Sequence, residues 1–207
     1  MTKIIADQPA DATSDAPGPE FLPLRGLADI LTVLLTVVVA YTWARLAIQL
    51  ISPGSVHYFT DFGLDEAADA TMLGLSILFL VWFYRARINA ERHGYPQRHA
   101  RAWAFWGWIV PIVNLWFPFQ IMGDIWRAGL PAGQRAETAW LPALWWTCWL
   151  LSGMGIFGAG VMVNAHSVPH LASNTNTASL CFLAAAGAML IAIIRTVSGG
   201  PVGSPAS

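Results

Sequence analysis

Apolar residues along the 207-residue chain gather into five blocks separated by short polar stretches. The first covers residues 27–51 and is rich in Val, Leu and Thr. The second (70–84) runs for 15 residues without a charge, the third (102–123) for 22, the fourth (138–163) for 26 and the fifth (178–194) for 17. A helix needs about 20 predominantly apolar residues to cross a bilayer. The first and fourth blocks meet that length. The second and fifth are short, but they end at Arg85 and Arg195, whose long side chains reach to the headgroups and lengthen the span. The pattern predicts membrane-spanning helices.

The third block reads AWAFWGWIVPIVNLWFPFQIMG. Pro111 and Pro118 each remove a backbone donor and clash with the preceding turn, and Asn114 lies between them. Trp103, Trp106, Trp108 and Trp116 are spread along the block, although tryptophan favours the membrane interface. Such a segment enters and leaves on one side, lies along the interface, or crosses as a kinked fifth span. Charge separates these options. If it does not cross, Lys3, Arg25, Arg85, Arg87, Arg92, Arg98, Arg101, Arg127, Arg135 and Arg195 all fall on one side, ten to none; if it crosses, they divide seven to three. Cytoplasmic loops carry the excess of Lys and Arg. The expected fold is therefore an all-α membrane protein with four transmembrane helices and one Pro-broken re-entrant or interfacial segment, the alternative being five spans. Both termini are expected in the cytoplasm, at the plasma membrane.

Composition supports this reading. Charged residues make up 11% of the chain, less than half the roughly 25% of a soluble domain, and the mean hydropathy is +0.52. With a net charge of -1 the chain has no basic field for a phosphate backbone, so a nucleic-acid partner is excluded. Residues 1–23 contain Pro9, Pro17, Pro19 and Pro23 with four acidic residues and are expected to form a disordered cytoplasmic tail. No basic stretch there leads into an apolar one, so it is not read as a signal peptide. Residues 24–197 form a single helical membrane domain, and 198–207 a short flexible tail. Gly155 and Ala159, and Ala184, Ala188 and Ala192, stand four apart, a spacing that lets helices approach closely in lipid.

Candidate chemistry is sparse. The stretch FYRARINAERHGYPQRHAR after the second block concentrates arginine. If the helix continues, Arg85, Asn89 and Arg92 share a face, and Arg87 pairs with Glu91 at i, i+4. The plain reading is topological, with arginines meeting anionic lipid. The sharper reading is a polar membrane-edge cluster of Arg85, Asn89, Asn114, Asp124 and Arg127, in which Asp124 is the partner of Arg85. Asp124 and Arg127 stand one turn apart, so a local ion pair is the competing reading. Arg45 inside the first block reads as a snorkelling cation. His57, His166 and His170 fall on the outer side with Asp61, Asp65, Glu66 and Asp69, but Pro169 breaks their helical spacing and no metal site is expected. His93 and His99 suggest nothing specific. Cys148 and Cys181 read as buried thiols. No phosphate-binding or nucleophile motif occurs, and no cofactor is called for. Most of the eleven tryptophans read as interface anchors, including Trp140, Trp145, Trp146 and Trp149 at the start of the fourth block.

Three stretches occur together in order: WFYRARINAE at 82–91, GWIVPIVNLWFPFQIMGDIWRA at 107–128 and LPALWWTCWLLS at 141–152. In this arrangement the chain resembles a family of small actinobacterial membrane proteins, the domain-of-unknown-function 4328 family, over roughly residues 24–196. The resemblance implies a multi-helix membrane domain, often preceded by a Pro-rich tail, and brings no activity or catalytic residue.

The expected function is that of a non-catalytic membrane module interacting with membrane lipid or a partner protein. The alternative is a membrane-embedded enzyme acting on a lipophilic substrate, such as a prenyl or terpene cyclase, with Glu91 or Asp124 as acid and stacked aromatic faces stabilising a cation. A small transporter subunit is weakened by the lack of internal repeats.

Overall fold

The computed structural model describes residues 21–51, 64–134, 140–164 and 169–203. Among them are six α-helices and no strand: α1 (Arg25–Ile51), α2 (Leu64–Arg92), α3 (Trp103–Ile109), α4 (Phe117–Gly129), α5 (Trp140–Asn164) and α6 (Pro169–Gly199). Single 3-10 turns follow at Val113–Leu115, Ala132–Gln134 and Pro201–Gly203. α1, α2, α5 and α6 are long and apolar enough to cross a bilayer, the architecture of a multi-pass membrane protein. The 27 residues of α1 extend about 40 Å, against about 30 Å for a hydrocarbon core.

Proline marks several boundaries. Pro169 opens α6, Pro142 lies in the first turn of α5, and Pro118 is the second residue of α4, positions where the missing N–H would have had no helical partner. α2 stops at Gly94, whose φ of 73° suits glycine. There the Gly94 N–H bonds Glu91 O and the Tyr95 N–H bonds Ala90 O, capping carbonyls that the helix leaves over.

Two cross-helix bonds set the directions. Gln49 Nε2 donates to Thr177 Oγ1 at 3.0 Å, joining the end of α1 to the early part of α6. Trp82 Nε1 donates to Ser198 Oγ at 3.0 Å, joining the late parts of α2 and α6. α1 is thus antiparallel to α6, and α2 parallel to it. α5 and α6 form the most extensive helix pair and are antiparallel, since Trp145 and Trp149 lie beside Leu190. The starts of α1 and α5 and the ends of α2 and α6 therefore share one end of the bundle, called here the proximal end.

The third apolar block begins and ends at this same end. α3 and α4, of 7 and 13 residues, reach only about 10 and 20 Å, so neither crosses. Five spans do not form, because Pro111 ends α3 and the chain turns through the 3-10 segment before Pro118 starts it back. The result is a re-entrant hairpin. Trp108 of α3 packs edge-on against Phe79, Phe83 and Trp146, and nine residues of α4 are buried.

The core sits at the proximal half, where Trp82, Phe83, Met122, Ile125, Ile193 and Val197 are fully buried. Elsewhere apolar side chains point outward, as Val33, Leu50, Met154 and Phe157 do, the pattern of a surface solvated by lipid. Three expectations change. Of the tryptophans, only Trp43, Trp106, Trp116, Trp140 and Trp149 are exposed, while Trp82, Trp126, Trp145 and Trp146 are buried, so fewer than half are placed to anchor at an interface. Cys181 is exposed, unlike Cys148. Ala184 is buried but Ala188 and Ala192 are exposed, because residues four apart drift about 40° around a helix with 3.6 residues per turn. The close approach of α1 and α6 occurs instead at Gly187, where an added Cβ would run into Val39 Cγ2. The short tail expected from residue 198 packs as far as Gly203, with Ser198 and Val202 buried; residues 204–207 and 1–20 lie outside the described residues.

Candidate functional site

Two features dominate the proximal half: a polar network at the end of the bundle and an aromatic cavity just inside it.

The network begins on the last turns of α2. Asn89 is fully buried and meets main chain from the stretches before α1 and after α6. Its Nδ2 donates to Leu22 O at 2.8 Å and Val202 O at 2.9 Å, and its Oδ1 accepts from the Leu22 N–H at 2.9 Å. Three of the amide's bonding positions are filled, which is what makes a polar group tolerable there. His93 bonds Pro201 O alongside. Arg85, one turn before Asn89, donates to Pro23 O at 3.3 Å.

Arg87 leaves α2 on another side and is also buried. Its Nη2 donates to His99 O at 2.6 Å and its Nη1 pairs with Glu91 Oε2 at 2.9 Å. Arg101 grips the same carboxylate with two donors, at 2.9 and 3.2 Å, the bidentate geometry that suits guanidinium. Hydrogen bond and charge from Glu91 push the Arg101 guanidinium above its ordinary value.

Asp124 of α4 is buried too. Its Oδ2 accepts from the Arg98 main-chain N–H at 3.1 Å, and its Oδ1 lies 3.4 Å from both Arg98 Nε and Arg127 Nη1. The His99 ring bonds Gln120 Oε1 at 2.6 Å and stacks on Phe117 at 4.0 Å. Residues 97–101 thus form a strap, held by Arg87 and Glu91 of α2 on one side and by Phe117, Gln120 and Asp124 of α4 on the other.

The sequence-based cluster separates accordingly. Asp124 and Arg127 come together, but Asp124 is not the partner of Arg85; Arg98 takes that place, because the turn at Gly94 folds the strap directly over α4. Asn89 and Arg85 face the stretches before α1 and after α6 instead. Asn114 lies at the far tip of the hairpin, and among the described residues its Oδ1 has no hydrogen-bond partner. The sequence does not single out Arg98, His99, Arg101 and Gln120. Arg98 and Arg101 read there only as topology signals, and the spacing Glu91 to Arg101 follows no helical period.

The cavity measures about 340 Å³ and lies between α2, α3 and α5. Phe79, Trp108, Trp145 and Trp149 form its aromatic wall. The rings brace one another: Phe79 and Trp108 meet edge to face at 5.4 Å, and Trp145 lies 5.4 Å from Trp146. Trp146 Nε1 donates to Leu115 O at 2.8 Å, which pins the break between α3 and α4 and so holds Trp108 in the wall. Ser76 is the cavity's only hydroxyl, and it is bonded to Met72 O. Glu91 and Asp124 do not line the cavity.

Among the described residues, no group of three or more His, Cys, Asp or Glu could hold a metal ion. His57, Asp61 and His166 lie outside the described residues, as do the side chains of Asp65, Glu66, Asp69 and His170.

A family model described as "Domain of unknown function (DUF4328)" matches residues 63–199. The match spans α2 to α6, and with them the strap and all of the cavity wall except Leu35 of α1. Comparison with curated proteins and with solved structures finds no match.

Proposed function

The chain belongs to the DUF4328 family, and from its geometry we propose that it is a non-catalytic membrane module, acting through the lipid or protein it holds. The observation that carries this is the separation of its acids from its cavity. A membrane enzyme needs an acid, base, nucleophile or metal converging on the substrate. The aromatic cavity is lined by apolar side chains and one hydroxyl, while Glu91 and Asp124 are engaged by guanidinium groups at the bundle end. Those ion pairs read as structure, neutralising charges that burial would otherwise penalise.

We place the proximal end in the cytoplasm of a plasma-membrane protein, with both termini there. Eight of the nine described arginines, all but Arg45, belong to that end, which supports the assignment.

The aromatic wall favours one other reading, a cyclase in which Phe79, Trp108, Trp145 and Trp149 would stabilise a carbocation. Expression with prenylated substrates, with Glu91→Ala and Asp124→Ala made singly, separates the two. No cyclised product is expected. A product that disappears with either substitution would install the enzyme in place of the module.

A further inference from the structure

A second depression, of about 450 Å³, adjoins the aromatic cavity along α2. It is bounded by Ile77, Val81, Tyr84, Arg85 and Phe105. Both lie between α2 and α3 with Leu80 as their common wall, and together they are called here the crevice. From Phe79 to Arg85 is six residues, about 9 Å along the helix. The crevice opens sideways, since Ser76, Ile109 and Trp149 are exposed, on a surface whose neighbours Ile77, Leu73 and Phe105 are exposed apolar side chains.

Its chemistry is graded. The inner part is aromatic and aliphatic, the middle aliphatic, and the upper end carries Tyr84 and Arg85. Among the described residues, Arg85 is the only charged one lining either part, and no carboxylate does. Among the described residues, only one of its five N–H donors has a hydrogen-bond partner, the Pro23 carbonyl. Arg87 and Arg101, by contrast, are taken up by Glu91, and Arg98 and Arg127 by Asp124. An apolar channel with a lone cation at the headgroup end matches an amphiphile with an anionic head.

We propose that this crevice holds one anionic phospholipid, its phosphate on the Arg85 guanidinium and one acyl chain in the aromatic cavity. Guanidinium recognises phosphate through paired N–H donors, and the cavity volume is that of a small-molecule site. The proposal rests on the reading of the protein as a non-catalytic module and names what that module holds.

The test uses the full chain purified in detergent, with dioleoyl phosphatidylglycerol and dioleoyl phosphatidylcholine titrated in competition. Retained lipid is read by native mass spectrometry. One phosphatidylglycerol retained in preference to phosphatidylcholine is expected. Arg85→Gln should cut that preference about fivefold, the value of one cation at a membrane surface, while Arg195→Gln, at the same end but outside the crevice, should leave it unchanged. Leu80→Trp and, independently, Ser76→Phe fill the cavity and should lower retention of both lipids. Equal retention of the two lipids by the natural chain overturns the proposal. So does an unchanged preference in Arg85→Gln, an equal loss in Arg195→Gln, or retention indifferent to both filled variants. Arg85→Gln decides the headgroup contact even if a filled variant misfolds. A retained lipid that leaves with altered mass would refute the non-catalytic reading and keep the site; loss of the site without any product would do the reverse.

Discussion

Asn89 is where the stretches before α1 and after α6 meet, and its three bonds are all to main chain. Asn89→Ala removes them and leaves Leu22 and Val202 groups unpaired near a buried site. Unmade buried bonds cost about 1–3 kcal/mol each, so a net loss of about 2–4 kcal/mol is expected, read as a lower melting temperature in detergent by tryptophan fluorescence. Asn89→Asp keeps the acceptor for the Leu22 N–H but turns a carboxylate oxygen toward two carbonyls, so it should be no better than alanine at neutral pH. A native-like melting temperature for the aspartate variant would show that the amide's donors are not needed. Asn89 could be picked out of the sequence as a polar residue on an arginine face. Its partners could not, because a main-chain carbonyl carries no residue identity and these lie 67 and 113 positions away. Asp124 was half legible for a related reason. A partner one helical turn away follows from period, whereas Arg98 reaches it only because Gly94 turns the strap back.

Between elements, the prolines did most to make the fold readable. Pro111 and Pro118 predicted that the third block would break, and a hairpin of two short helices is what a break with both ends on one side produces. The small-residue spacing holds at Gly155 of α5, where an added Cβ would run into Ser179 Oγ of α6, but not along Ala184, Ala188 and Ala192, since the helix winding carries residues four apart off a common line. The close contacts fall where two backbones actually cross. At Gly200, an added Cβ would collide with the main-chain carbonyl of Gly129, which cannot swing aside as a side chain would. Gly200→Ala should therefore push the ends of α4 and α6 apart at a cost of about 1–3 kcal/mol, the range for overpacking. Gly133, with nothing within 4 Å of such an atom, is the control, and Gly133→Ala should melt as the natural protein does. Equal melting of both variants would mean that the α4–α6 junction yields without cost.

For the molecule as a whole, the distribution of arginine favoured four spans before any helix was placed. The ten-to-none division outweighed the seven-to-three division of five spans, whereas hydropathy alone left the third block undecided. What hydropathy could not convey is that the hairpin enters deep enough to build the aromatic wall, since Trp108 reads equally as an interface anchor. Single cysteines at Ser55, Gly94, Gly133 and Ser173, in a background where Cys148 and Cys181 are serine, test the arrangement with an impermeant thiol reagent on intact cells. Labelling is expected at 55 and 173 only. Labelling at 133 would put the hairpin across the membrane and overturn the re-entrant architecture.

The position of Val202 has a consequence for how the protein is made. A ribosome inserts α1 and α2 long before it reaches residue 202, yet Asn89 cannot complete its bonding until the Val202 carbonyl has been synthesised. Assembly is therefore sealed only once the stretch after α6 has been made. A chain cut before residue 202 would carry all four apolar helices into the bilayer and still lack this latch, a difference that a membrane quality-control protease could read.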